Sequence, residues 1–167
     1  MRPRIYLRHP QPADQREFVE RARASRKLHG SCVAAPDTAA KYREFLQRAA
    51  QPAACTWLVC SRSGDEIAGM VNVSNIVRGL FQSAYLGYYA FAGFEGQGLM
   101  KEGVRAVVRD AFGRLKLHRL EANIQPGNTA SIALVRACGF QLEGYSPRYL
   151  KIAGRWRDHE RWALLAS

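Results

Sequence analysis

Gly93-Phe94-Glu95-Gly96-Gln97-Gly98 sets three glycines in six residues just ahead of the strongest amphipathic segment of the chain. Such a turn can aim backbone N–H groups and a helix N-terminus at a phosphate. Two nucleotide loops are excluded by the residues next to it. A Walker A loop shares the spacing of Gly93 and Gly98 but requires Lys and Ser/Thr next. Leu99-Met100 stand there, so the ligands for phosphate and Mg²⁺ are missing. A dinucleotide loop requires a third glycine where Lys101 stands. It also requires a parallel βαβ unit, whereas the strand before this loop closes an antiparallel meander. Two readings stay open: a pyrophosphate loop held by backbone without a metal, and a bare glycine turn with no ligand.

Other reactive residues form no motif. Cys32, Cys55, Cys60 and Cys138 make no CxxC and have no His at zinc-finger spacing. They read as reduced, mostly buried thiols, with neither structural zinc nor disulfides expected. Asp158-His159 has the look of a base pair, but it comes after the hairpin pattern Gly154-Arg155-Trp156 and reads as structural pairing. Tyr85, Tyr88 and Tyr89 could line an acceptor cleft or simply pack a sheet.

The elements that must position the loop emerge from periodicity. Residues 5–8 read as a short strand, and Pro12-Ala13-Asp14 opens a helix with Phe18, Val19, Ala22 and Leu28 on its apolar face. Asp37-Thr38 can cap a second helix carrying Tyr42, Phe45, Leu46 and Ala49. Residues 55–62, 67–77 and 83–91 form an antiparallel meander, with Gly69 a bulge or close-approach point. Val104, Val107, Val108, Ala111, Phe112 and Leu115 define a helix that starts near Leu99 or Met100. A strand over 119–124 comes next. Then comes a helix over 128–138, with Asn128 as N-cap and Gly139 beyond its end. Strands over 140–143, 149–152 and 156–165 close the chain.

The 167 residues suit one domain, and 47% hydrophobic content suffices for a core. No apolar run is long enough to span a membrane, and no secretory signal opens the chain, so the cytoplasm is the expected compartment. Lys and Arg number 25 against 14 acidic residues, a net charge of +11. That charge draws the protein toward nucleic acid, ribosomes or acidic surfaces, but it is spread out and marks no dedicated nucleic-acid arm.

The stretch Glu95-Gly96-Gln97-Gly98-Leu99-Met100 resembles the Gln/Arg-x-x-Gly-x-Gly/Ala loop of the GNAT N-acetyltransferases. Gly98 matches the central glycine. Glu95 replaces the usual Gln/Arg, so its side chain is expected to point away from a pyrophosphate. Met100 replaces the usual small residue. The wider likeness is to the RimJ/RimL-type branch, which acetylates the N-terminal amine of ribosomal proteins. It rests on Asn75-Ile76-Val77-Arg78-Gly79, Tyr85-Leu86-Gly87-Tyr88, Gly96-Gln97-Gly98-Leu99-Met100 and His118-Arg119-Leu120-Glu121-Ala122-Asn123. Gly139-Phe140-x-x-Glu143-Gly144-Tyr145 and Trp156-Arg157-Asp158-His159 complete it. These segments run in unbroken order over residues 67–165, while residues 1–66 match only in element order.

The resemblance implies an α/β (α+β) fold as a single domain over 1–167. Its central sheet would be mixed but mostly antiparallel, flanked by helices and splayed between the fourth and fifth strands. It implies transfer of acetyl from acetyl-CoA, without a metal, to a primary amine by direct attack through a tetrahedral intermediate. The acceptor would be the N-terminal α-amine of a protein, ribosomal proteins included, and the positive charge would suit docking near ribosomal RNA. The alternatives are a small-molecule amine, or a non-catalytic domain binding acyl-CoA or RNA. An α-amine, with its pKa of about 7.7–8, needs only modest help to attack. Tyr88, Tyr89, Ala90 and Phe91 would pair with the pantetheine arm like an added strand. Glu95, Gly96, Gln97, Gly98, Leu99, Met100 and Lys101 would hold the pyrophosphate, with Arg105 either adding charge or facing solvent. Asn128 would cap its helix and touch CoA. Glu121 is the first choice of base, set against an ion-paired role with Arg119. Ser131 would face the thioester sulfur, since the family's frequent tyrosine is replaced by Val135.

Overall fold

Alternation in the central strands decides the layering. In the segment Cys55–Ser61, Trp57 and Val59 project to one side, Leu58 and Cys60 to the other, and all four are buried. Both faces of such a strand must be covered. The computed structural model describes residues 3–167 and shows how.

In chain order the elements are β1 (Ile5–Arg8), a 3₁₀ turn (Pro12–Asp14), α1 (Gln15–Ala24), α2 (Arg26–His29) and α3 (Ala39–Ala49). β2 (Cys55–Ser61), β3 (Ile67–Val77), β4 (Ser83–Ala90) and α4 (Leu99–Gly113) come next. The chain closes with β5 (Arg119–Ile124), α5 (Thr129–Ala137), β6 (Gln141–Ile152) and β7 (Arg155–Leu165). The strands form one mixed sheet in the order β1-β2-β3-β4-β5-β7-β6, antiparallel throughout except between β4 and β5.

One sheet face packs Val59, Val71 and Val73 against Val104, Val107 and Ala111 of α4 and against α5 through Val135. The other packs Leu58, Ile67 and Met70 against Phe18 of α1 and against Tyr42 and Phe45 of α3. Phe18 is the hub of that second layer, within 5.1–5.2 Å of the rings of Tyr42, Phe45 and Phe91. Thr38 caps α3 by accepting from the Lys41 N–H at 3.2 Å. Arg8 and the nearly buried Asp14 form a two-pronged pair, both contacts 2.7 Å, that fixes the exit of β1.

Gly69 is both a bulge and a close approach. The β2–β3 register shifts between Val59 and Cys60, opposite it. A Cβ there would collide with the Tyr89 carbonyl oxygen and come within 2.5 Å of Met100 Sδ. The glycine therefore lets β3, β4 and the start of α4 converge.

Two expectations are corrected. The first helix does not run on to bury Leu28. The chain breaks after Ala24, and the short α2 turns His29 inward while leaving Leu28 exposed. The two strands expected over 140–143 and 149–152 are one strand, β6, irregular between Ser146 and Leu150 where Arg148 takes a φ of +47°.

Candidate active site

β4 and β5 share only three pairs, Ser83↔Arg119, Ala84↔Leu120 and Tyr85↔Glu121, and then part. The sheet therefore opens between its fourth and fifth strands. Phe91 N–H donates to the Ala68 carbonyl oxygen at 2.8 Å, on the β3 side. Pleat alternation then turns the amide groups of Ala90 and Tyr88 away from β3, into the opening.

Two cavities occupy this opening. The larger, about 730 Å³, runs from Gly96, Gly98, Met100 and Lys101 past Ala90 to Tyr88 and Ser131. The smaller, about 270 Å³, starts from Tyr88, Asn128 and Ser131 and is walled by Asn72, Asn123 and His159. The hydroxyls of Tyr88 and Ser131 lie 2.6 Å apart at the junction. Burial holds the Tyr88 phenol far above its ordinary pKa, so it stays protonated near neutral pH.

The head of the larger cavity is built for an anion. Gly93, Gly96 and Gly98 all have positive φ, the last at +77° as the N-cap of α4. No described side chain caps that end, so the first amides of a 15-residue helix are left as donors beside Lys101. Glu95 is tied back onto the Gly93 N–H at 2.6 Å, which gives its carboxylate a local partner within the loop. Arg4 braces the loop from behind, bonding the Gln97 carbonyl oxygen at 2.9 Å and pairing with Glu102.

Tyr88, Tyr89, Ala90, Glu95, Gly96, Gly98, Met100, Lys101, Asn128 and Ser131 all line one cavity or both. Four expected residues line neither. Phe91 is fully buried in the second core layer, and Leu99 is buried in the first. Gln97 turns its amide back to the Gly93 carbonyl oxygen at 2.6 Å. Glu121 accepts from Arg119 Nε at 2.8 Å, and the same guanidinium grips Glu143, so the carboxylate is held in an ion-paired cluster. Asn128 caps α5 as expected, accepting from the Ser131 N–H at 3.2 Å. Arg105 donates to the Ala137 carbonyl oxygen at the end of α5 and is spent on helix pairing.

The structure adds residues the sequence did not mark. His29 reaches from α2 to the Ala90 carbonyl oxygen at 2.8 Å, and the buried Ser25 accepts from the Ala92 N–H at 2.8 Å. Together they clamp the end of β4. Cys32 lines both cavities. Asp158 does not bond His159; it accepts from Tyr145 and from the Arg148 N–H, which hold its carboxyl below the usual range. His159 lies instead in the wall of the smaller cavity.

Known proteins share the fold and part of the sequence. Over 99 residues the chain is 44% identical to the ribosomal protein uS5-alanine N-acetyltransferase of Escherichia coli (strain K12), a match covering 59% of this chain and 51% of that one. The chain spans little more than half the length of the first curated relatives it matches, 59% and 51%. The fold recurs in Mycobacterium smegmatis RimJ in complex with CoA-disulfide, with a TM-score of 0.88 at 23% identity, covering 97% of this chain and 82% of that one. It recurs also in the Vibrio cholerae spermidine N-acetyltransferase in complex with CoA and spermine, with a TM-score of 0.81 at 21% identity, covering 97% and 95%. The acetyltransferase (GNAT) domain profile matches residues 4–141, most of the chain, and the protein belongs to that family.

Proposed function

We propose that the protein transfers the acetyl group of acetyl-CoA to the N-terminal α-amine of a protein, with ribosomal proteins the first candidates. The observation that carries this reading is the junction of the two cavities at the Tyr88–Ser131 hydroxyl pair. On one side is a long cavity headed by an uncapped helix N-terminus. On the other is a smaller one of mixed lining, with Asn72, Asn123, Asn128 and His159 among apolar residues.

Acetyl-CoA, when bound, supplies the acetyl group as a thioester. The amides at the start of α4, with Lys101, would hold its pyrophosphate. The outward amide groups of Tyr88 and Ala90 would pair with its arm, and the Ser131 hydroxyl would hydrogen-bond at the sulfur. The small cavity would receive the amine. Glu121 is not given the proton-accepting role it was expected to have: it lines neither cavity, and its carboxylate is paired with Arg119.

The lining of the small cavity supports the acceptor class. No Asp, Glu, Lys or Arg stands among its described lining residues. A polyamine carries ammonium groups beyond the one that reacts, and it would find no counter-charge there. The net charge of +11 opposes it further and suits docking beside ribosomal RNA. The uS5-alanine acetyltransferase relative supports the same acceptor class.

The test is a thermal melt with acetyl-CoA, then a comparison of acceptors. At roughly 100 times its dissociation constant a specific ligand adds about 2.7 kcal/mol. A shift with acetyl-CoA and none with ATP or NAD at matched ionic strength is expected. Peptides with small N-terminal residues should then be acetylated faster than spermidine. No shift overturns the cofactor, and a preference for spermidine overturns the acceptor.

A further inference from the structure

The small cavity needs a group that can take a proton from the amine, and its wall contains one imidazole. His159 stands on β7 and is only 3% exposed. Its Nδ1 lies 2.9 Å from the Arg157 carbonyl oxygen. A carbonyl can only accept, so Nδ1 carries the hydrogen, and the lone pair of the neutral ring is left on Nε2. No described residue hydrogen-bonds Nε2.

The surroundings single this atom out. Asp158, next in sequence, is engaged by Tyr145 and the Arg148 N–H. On β6, Ser146 is the register partner of His159, and the Tyr149 ring stands edge-on at 6.3 Å. On β5, Asn123 lines the same wall, and its side-chain oxygen has no partner among the described residues. Arg161, two residues along β7, lies over Gly144. The cavity's remaining ionisable groups are the Cys32 thiol and the phenols of Tyr88 and Tyr89. Burial raises the pKa of both phenols, so neither offers a phenolate to accept a proton.

We infer that His159 Nε2 is the proton acceptor for the attacking amine, with the Asn123 side-chain oxygen orienting its N–H. This rests on the acetyl-transfer reading above and supplies the base it leaves open. As the new C–N bond forms and the thioester C–S bond breaks, the nitrogen must shed one proton. Nε2 takes it while Nδ1–H stays on Arg157, and the ring returns it to solvent. The departing thiolate takes a proton through the Ser131 hydroxyl, which solvent replenishes, so one proton leaves through His159, one returns through Ser131, and charge balances.

Two measurements test this. In ¹⁵N NMR of the parent protein, the His159 ring is expected to show a protonated Nδ1 and an unprotonated Nε2, with Nε2 shifting when an Ala-initiated peptide binds. The opposite tautomer overturns the proposal. In kinetics, His159→Asn keeps a donor for Arg157 but loses the lone pair. It should lower kcat on the peptide by about 10²–10³-fold and leave the acetyl-CoA melt shift unchanged, and added imidazole should partly restore activity to His159→Ala. Glu121→Gln should stay within about threefold of the parent. A His159→Asn or His159→Gln protein with near-parental kcat overturns the base role alone. A parent that neither shifts with acetyl-CoA nor acetylates any peptide overturns the function reading as well.

Discussion

The Tyr88 and Ser131 hydroxyls, 2.6 Å apart, join β4 to α5 across the opening where β4 and β5 have separated. Tyr88 also donates to the Ser131 carbonyl oxygen at 3.0 Å. Ser131→Ala therefore leaves the phenol a partner and should cost only about 1 kcal/mol of stability. On the proposed placement of this hydroxyl at the thioester sulfur, acetyl transfer should fall about 10- to 100-fold. Steady-state kinetics beside a melt of the same sample separates the two effects.

Gly98→Ala acts on the head of the larger cavity. The φ of +77° is strained for any residue with a Cβ, at about 1–2 kcal/mol. The new methyl would stand 3.2 Å from the flexible end of Arg4, which can move aside. Affinity for CoA in a calorimetric titration is expected to drop at least about tenfold, because the loop relaxes away from the geometry that presents the α4 amides.

Gly69→Ala should harm the fold more than Gly98→Ala. The added Cβ meets the Tyr89 carbonyl, which is backbone, as well as Met100 Sδ. Overpacking of this kind costs about 1–3 kcal/mol. Denaturant midpoints of the two variants should fall in that order. A Gly69→Ala protein as stable as the parent would show that β3 and β4 do not need to approach this closely.

Asp37 links the α1–α2 region to α3, accepting from Lys41 at 2.7 Å and Arg26 at 2.8 Å. Those two cations hold its carboxyl down at about 2. The folded value lies below the unfolded one, near 3.9, so the pair stabilises the protein above about pH 4. That contribution is lost as pH falls through the folded value. Asp37→Asn should melt below the parent at neutral pH, and the two curves should converge as pH drops from about 4 toward 2.

The sequence made the scaffold legible where periodicity and caps coincide. The apolar repeat from Val104 and the caps at Thr38 and Asn128 set the helices correctly. The glycine loop was legible too, because positive φ before a long helix demands those residues. The polar wall of the small cavity was not. In the sequence His159 stands between Asp158 and Glu160 with nothing to mark it, and only the pairing of β7 with β5 and β6 brings it to the same wall as Asn123. The clamp by Ser25 and His29 depends on a helix break after Ala24 that local pattern does not reveal. Glu121 shows the converse. Arg119 two residues earlier shares its strand face, and its guanidinium pairs with the carboxylate that the motif alone offered as a free base.

The short seam between β4 and β5 carries one more implication. The sheet has two wings, β1–β4 and β7–β6 with β5, stitched together by three residue pairs. An extended ligand lying past Tyr85 would splice the opening with its own amides and so act as a structural member. Backbone amides in β5 and β7 should then exchange with deuterium more slowly in the bound protein, in step with those of β4, although the splice would lie along β4.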